Sequence, residues 1–184
     1  MTDPHRPPHR DAAFSPETAW EGRYIKVVKQ GGWEYVARQR GIQAAVIVAI
    51  DEADRVVLVE QYRVPLGQRC LELPAGLIGD ETEGEAVAIG AARELEEETG
   101  YRAGRIEELG FFHSSPGMNS EGFTLVRAHD LVKVGEGGGD AHEDIEVHLV
   151  PRTQIAAFVA QKRAAGVAMD VKMLVLLADA LIGP

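Results

Sequence analysis

Four carboxylates crowd five consecutive positions in Arg93-Glu94-Leu95-Glu96-Glu97-Glu98, at the end of the segment with the clearest helical period in the chain. Over Glu83 to Glu98, the residues Ala86, Val87, Ala88, Ala91, Ala92 and Leu95 fall on one arc at roughly 100° per residue. Gly100 stands where a helix C-terminal glycine belongs. Thr82 is the candidate N-cap, with Glu85 three residues on to complete a capping box. Asp80, Glu81, Glu83 and Glu85 gather where the helix dipole favours anions. The acids at the other end oppose that dipole. Glu94 and Glu98, four apart, share a face, and like charges at that spacing cost ~0.2–0.5 kcal/mol per pair. They border the apolar arc beside Val87 and Ala91, whereas Glu96 points away. Acids at the edge of a core need a counter-charge, which a divalent cation with oxygen ligands supplies. A solvated acidic face partly paired to Arg93 is the reading the helix alone leaves open.

The rest of the chain reads mostly as strands. Tyr24–Val28 and Trp33–Val36 flank a turn at Gln30-Gly31-Gly32 and form a hairpin. Ala44 to Ile50 is a short, nearly pure apolar run, which predicts a buried strand, and Arg55 to Gln61 is its return. A short strand at Leu71–Leu73 stops at Pro74 and Gly76. Further strands are expected around Ile106–Phe112, Phe123–His129 and Ile145–Pro151, and helices over Thr153–Lys162 and Asp170–Leu181. Gly135 to Asp140 is a glycine-rich loop, expected to be mobile. Residues 1–15 show no period and read as a mobile tail, 16–42 as a β extension, and 43–184 as one domain. The order points to an α+β fold, a mixed sandwich rather than a doubly wound sheet.

Charge narrows the function classes. The 184 residues carry 29 acidic and 19 basic side chains, a net −10, which argues against a nucleic-acid partner. It leaves phosphate substrates open, since divalent ions held by carboxylates can bind them. No run of eighteen apolar residues predicts a membrane span, and the polar start from Met1 to Asp11 lacks the apolar centre of a secretory signal. One cysteine, Cys70, excludes an intramolecular disulfide and a cysteine-based zinc cage, and a cytoplasmic location is expected.

The spacing around the acidic helix is more specific than the helix itself. Gly79, five residues, Glu85, seven residues, Arg93-Glu94-Leu95, one residue, Glu97-Glu98, one residue and Gly100-Tyr101 together resemble the Nudix hydrolase signature. Only Tyr101, where an aliphatic residue is usual, departs from it. The resemblance implies an α/β/α sandwich with a mixed central sheet and an N-terminal β-hairpin extension. It also implies cleavage of a nucleoside diphosphate linked to another group. Glu94, Glu97 and Glu98 become the metal ligands for Mg2+ or Mn2+. Arg93 orients these acids, Glu85 supports them from a distance, and Gly79 allows a tight turn before the helix.

Two further segments resemble the ADP-ribose and ADP-sugar pyrophosphatase branch. Glu72-Leu73-Pro74-Ala75-Gly76 looks like its E-x-P-A-G element, in which the residue at Ala75 offers a backbone carbonyl to metal. Ser115-Pro116-Gly117, sixteen residues past Gly100 at its proline, matches the branch marker, and Glu121 a frequent acid after it. Trp33-Glu34-Tyr35-Val36-Ala37-Arg38 is similar to the Trp-Glu-x-Val-x-Arg segment of ADP-sugar pyrophosphatases, which implies base stacking by Trp33, base bonding by Glu34 and phosphate contact by Arg38. Trp20 is the candidate second face of that clamp, and Arg63, in Gln61-Tyr62-Arg63, a second phosphate contact. A homodimer with sites built by two chains follows from the resemblance alone. The general base falls on the loop before the last strand: Glu143 aligns best, ahead of Asp144 and Glu146, with Glu136 also on that loop. The expected reaction is hydrolysis of ADP-ribose to AMP and ribose 5-phosphate. GDP-mannose or another nucleotide sugar is the alternative substrate, and a non-catalytic ADP-ribose-binding module the rival class.

Overall fold

The computed structural model describes residues 7–39, 42–79, 84–139 and 143–182. The chain divides into two compact units, Met1–Ile42 with His113–Gly122, and Gln43–Phe112 with Phe123–Pro184.

The first unit is an antiparallel sheet in the order β1 (Glu17–Glu21), β2 (Ile25–Gln30), β3 (Trp33–Arg38). The β2–β3 hairpin closes with Gln30 opposite Trp33, as the Gly31-Gly32 turn predicts. Strand β1 had no signal in the sequence: all five of its residues are exposed, so no apolar alternation marks it. Within residues 7–15, read above as a tail, Arg10–Ala13 form a 3-10 turn. Its Asp11 carboxylate accepts from the Gly32 amide at 3.3 Å, and Gln30 donates to the Phe14 carbonyl at 2.8 Å. The 113–122 arm pairs with β3, where Val36 donates to Met118 O and accepts from Ser120 N.

The second unit holds β4 (Gln43–Ala49), β5 (Arg55–Arg63), β6 (Gln68–Glu72), β7 (Ala75–Ile78), α1 (Val87–Thr99), β8 (Tyr101–Arg102), β9 (Arg105–His113), β10 (Gly122–His129), β11 (Val132–Lys133), β12 (Glu146–Pro151), α2 (Ile155–Ala164), β13 (Ala168–Met169) and α3 (Leu174–Ile182). One four-stranded sheet runs β7-β4-β10-β9 and is mixed, because β4 lies parallel to β10 but antiparallel to β7. The other runs β12-β5-β6-β13. The apolar run in β4 follows from burial on both faces. Ala45, Ile47 and Ala49 join Ala91 and Leu95 of α1 in one core. Val46 joins Ile155 and Val159 of α2 and Met173 in a second. Helices thus cover both faces, giving the expected α/β/α sandwich. No helix among the described residues is long and apolar enough to cross a membrane.

Helix α1 starts at Val87, four residues later than its period suggests, and its N-cap position is Ala86, which makes no side-chain cap bond. The expected cap Thr82, with Asp80, Glu81 and Glu83, lies outside the described residues. Glu85 does not join the first turn of the helix. Its carboxylate accepts from the Gly79 amide at 3.3 Å and meets Arg93 at 3.5 Å. Gly100 ends the helix in the left-handed conformation, as expected. The predicted second and third helices begin instead as 3-10 turns, Arg152–Gln154 and Val171–Met173.

Candidate functional site

The helix gives its acids three degrees of burial. Glu98 is 3% exposed, Glu94 is half-buried, and Glu97 faces solvent. Glu96, expected to point away, forms a two-pronged ion pair with Arg102 at 2.8 Å. Arg93 lies among the rest, with Nη1 at 3.0 Å from Glu94 and 3.1 Å from Glu97, and with Nη2 donating to the Leu77 carbonyl. Its burial works against the charge, and Glu85, Glu94 and Glu97 overcome it, so its pKa rises further. One guanidinium thus meets three of the acids around it, Glu85, Glu94 and Glu97.

The strand that follows Pro74 completes the group. The Ala75 amide donates to Glu98 Oε2 at 3.0 Å, which ties the start of β7 to the buried acid. At Gly76 an added Cβ would overlap the Glu94 carboxylate, so only glycine admits that acid against β7. The sequence shows Pro-Ala-Gly as a strand stop. The structure shows a strand whose missing side chain makes room for a ligand candidate.

Burial drives the Glu98 carboxyl up to about 8. The Ala75 amide opposes this, the charges of Glu143 and Glu94 add to it, and Arg63 opposes it again. Arg63 is itself bound in two-pronged fashion by buried Glu72, at 2.6 and 2.8 Å. A phosphate role for Arg63 therefore means sharing a guanidinium already paired. The acids repel one another in a desolvated place, with hard oxygen donors only. Such a set suits a hard divalent cation of the magnesium type, for which Glu94, Glu98 and Glu97 are the candidate ligands.

The glycine-rich segment differs from the expected free loop. Gly138 and Gly139 donate their amides to the carbonyls of Glu98 and Glu97, and Val134 donates to that of Gly100. These bonds satisfy carbonyls that a helix end leaves unpaired. Lys133 adds a bond to the Thr99 carbonyl at 2.9 Å. A Cβ on Gly137 would collide with the backbone of Thr99 and Glu98, so close approach explains the glycines here. Glu143 is exposed, packs beside Gly139, and its charge reaches Glu98. Asp140 and His142 lie outside the described residues.

A second acid–histidine group went unseen in the sequence. Oxygens of Glu60 and Glu146 and a nitrogen of His148 lie within 4.8 Å of one another. Lys162 at 2.7 Å and Arg69 at 3.0 Å already hold Glu60. Burial raises the pKa of Glu60, but Lys162, His148 and Arg69 outweigh it and the net shift is downward. Two resident cations make this a poor place for a third.

The first unit carries its own pocket of about 530 Å³, lined by Trp33, Tyr35, His9, His113 and Pro116 among others. Trp33 is nearly half exposed and meets the His9 ring edge-on at 6.1 Å. Glu34, the next residue along β3, projects to the opposite face and does not line the pocket. Arg38 is ion-paired with Glu121. Gly117 has open space around its Cα, beside the pocket residue Pro116. Trp20 is not the second face of the Trp33 clamp within one chain. It lies opposite Val27, which pairs with Val36, so it is two strands across and three residues along from Trp33. Its indole instead covers Gly22.

A NUDIX domain model matches residues 40–170. This chain belongs to the Nudix family. Its Nudix relatives include the GDP-mannose pyrophosphatase of Cronobacter sakazakii (strain ATCC BAA-894), 35% identical over 147 residues, or 75% of this chain and 72% of that protein. The ADP-ribose pyrophosphatase of Bacillus subtilis (strain 168) is 35% identical over 88 residues, 48% of this chain and 46% of that protein. That match spans about half of each protein. The crystal structure of an ADP compounds hydrolase superposes with a TM-score of 0.67 at 25% identity, covering 92% of both chains. As a Nudix hydrolase, the chain carries its family signature from Gly79 to Tyr101, a span that takes in the whole of α1.

Proposed function

We propose that this Nudix hydrolase cleaves the diphosphate of ADP-ribose to AMP and ribose 5-phosphate, using magnesium or manganese. The observation that carries this reading is the buried Glu98 beside Glu94 in the Gly76 recess, a concentration of negative charge that stability does not favour. When bound, the ion supplies positive charge against the diphosphate oxygens. Arg93 holds Glu94 and Glu97 in place for it. Glu143 takes a proton from the attacking water, whose oxygen bonds to one phosphorus while the bridging P–O bond breaks. The aromatic pocket around Trp33 and Tyr35 takes the base by stacking, and Gly117 borders it. Arg38 and Arg63 contact phosphate by exchanging part of their present carboxylate bonds. In the homodimer that the resemblance implies, residues 16–42 reach a second copy, and Trp20 of that copy is the second face of the clamp.

The similarity over 75% of the chain to a GDP-mannose pyrophosphatase favours one alternative, another nucleoside-diphosphate sugar as substrate. A panel of ADP-ribose, GDP-mannose, ADP-glucose and NADH, read as phosphate released by added phosphatase with and without magnesium, separates the two. The expected result is the highest kcat/KM on ADP-ribose and none with chelator. A higher value on GDP-mannose selects the alternative, and inertness toward all four selects a binding module. Trp33→Ala should raise KM for ADP-ribose roughly tenfold with kcat nearly unchanged, because stacking is binding shared by ground and transition states.

A further inference from the structure

Asp144 follows Glu143 directly, and Arg69 of β6 grips it twice. Nη1 donates to Asp144 Oδ2 at 2.7 Å and Nη2 to the Asp144 carbonyl at 3.3 Å. The same guanidinium donates to the Glu60 carboxylate at 3.0 Å and to the Glu60 carbonyl at 2.8 Å. Its inner side is therefore fixed to β5, in the middle of a sheet. Glu60 cannot drift, because Lys162 and His148 bind its other oxygen at 2.7 and 3.1 Å. The outer side of Arg69 holds the stretch of chain that leads into β12.

Glu143 is thus bounded on two sides. Behind it, Arg69 ties Asp144 to the buried network. In front, Gly139 packs against its side chain, and the Gly139 amide is bonded to the Glu97 carbonyl of α1. An exposed glutamate gains a defined place from these two anchors, and its charge is felt at Glu98. The Arg69–Asp144 pair itself is mostly exposed at the Asp144 end. Pairs of that kind contribute little to stability. Its geometry matters more than its energy.

We infer that Arg69 is a positioning residue, which clamps Asp144 to the Glu60 network and so holds the Glu143 carboxylate where it can act on the attacking water. The inference rests on Glu143 being the base, as proposed above. A carboxylate displaced by about an ångström loses much of its effect, so the expected loss in kcat is roughly ten- to a hundredfold.

The test is a double-mutant cycle on the full chain with ADP-ribose and magnesium. Arg69→Ala, Asp144→Ala, Glu143→Gln and the two combinations with Glu143→Gln are compared by kcat, KM and circular dichroism. Arg69→Ala and Asp144→Ala should each lower kcat roughly ten- to a hundredfold with KM within about twofold. Neither should lower kcat further in the Glu143→Gln background. Arg69→Lys, which keeps one bond to Asp144, should recover part of the loss. Equal losses in both backgrounds would mean that Arg69 acts independently of Glu143 and would overturn the inference. So would an unchanged kcat in Asp144→Ala, a variant that leaves the buried Glu60 contacts untouched if Arg69→Ala proves unstable. Should Glu143→Gln alone be fully active, the assignment of the base fails and the clamp with it, an outcome distinct from a failure of Arg69 alone.

Discussion

Glu60 and Glu98 are the same side chain, buried to the same degree, at 4% and 3% exposure, in opposite electrostatic settings. Around Glu60, Lys162, His148 and Arg69 outweigh the cost of burial. Around Glu98, one backbone amide and a distant, already paired Arg63 do not, and two further acids face it. The first arrangement is complete as it stands. In the second, no cation among the described residues is ion-paired with the acid, which leaves its charge for an added cation to balance. Burial alone does not distinguish a structural acid from a functional one; the surrounding balance of charge does.

The strongest way to break this contrast is Glu98→Gln. The amide keeps the Ala75 bond and the shape but not the charge. Turnover should fall on the order of 10³-fold or more, while circular dichroism stays that of the folded protein. A folded variant with near-normal magnesium-dependent activity would remove Glu98 from the site.

Stability should respond in the opposite sense at the two positions. The raised carboxyl of Glu98 favours folding below its unfolded value near 4.5, and that contribution is lost as pH climbs toward about 8. Without metal near pH 8, Glu98→Gln should therefore be more stable than the parent by roughly 2–4 kcal/mol in urea unfolding. Glu60→Gln should be less stable by a similar ~2–4 kcal/mol, since Lys162 and Arg69 lose their partner. The depressed carboxyl of Glu60 contributes above its unfolded value, and that part disappears as pH falls through its folded value. If both variants shift stability the same way, the contrast is wrong.

Magnesium sharpens it further. With Glu98 as the proposed ligand, metal binding needs that acid ionised, so saturating magnesium should raise the thermal midpoint more near pH 8 than near pH 5. The increment should vanish in Glu98→Gln and survive in Glu60→Gln. The smallest effect is expected at Gly76→Ala. The new methyl would push the Glu94 carboxylate out of its recess, and kcat should fall roughly tenfold with the fold retained.

The acids themselves were legible in the sequence because they violate helix preferences, with anions at the negative end of the dipole. Gly100 and the β4 run were legible for the same local reasons. The helix start was not, because Glu85 is drawn to Gly79 and Arg93, a tertiary choice that overrides capping. Strand β7 was hidden by Pro74 and Gly76, residues that usually mark a stop. The glycines at 135–139 suggest mobility by composition, yet their amides and bare Cα atoms serve the end of α1. Trp20 and Trp33 were joined by analogy, and strand register separates them. The Glu60 group, with Arg69, His148 and Lys162, is scattered over four segments and has no sequence signature at all.

The parallel pairing of β4 with β10 bears on how this protein is made. Ala44 lies beside Phe123, and Ala49 beside Ala128, so a strand emerging early from the ribosome waits for one translated some eighty residues later. Helix α1 lies between them in the chain, and its Ala91 and Leu95 share one core with Ala45 and Ile47 of β4 and with Val126 and Ala128 of β10. Before residue 129 is synthesised, the β10 members of the core that holds Leu95, Val126 and Ala128, are missing or unpaired. Non-local pairing of this kind is slow to form, and the waiting apolar strand is exposed to association in the meantime. The acidic helix can acquire its final geometry only after that late strand is in place, so a nascent chain stalled earlier would carry the signature without the site.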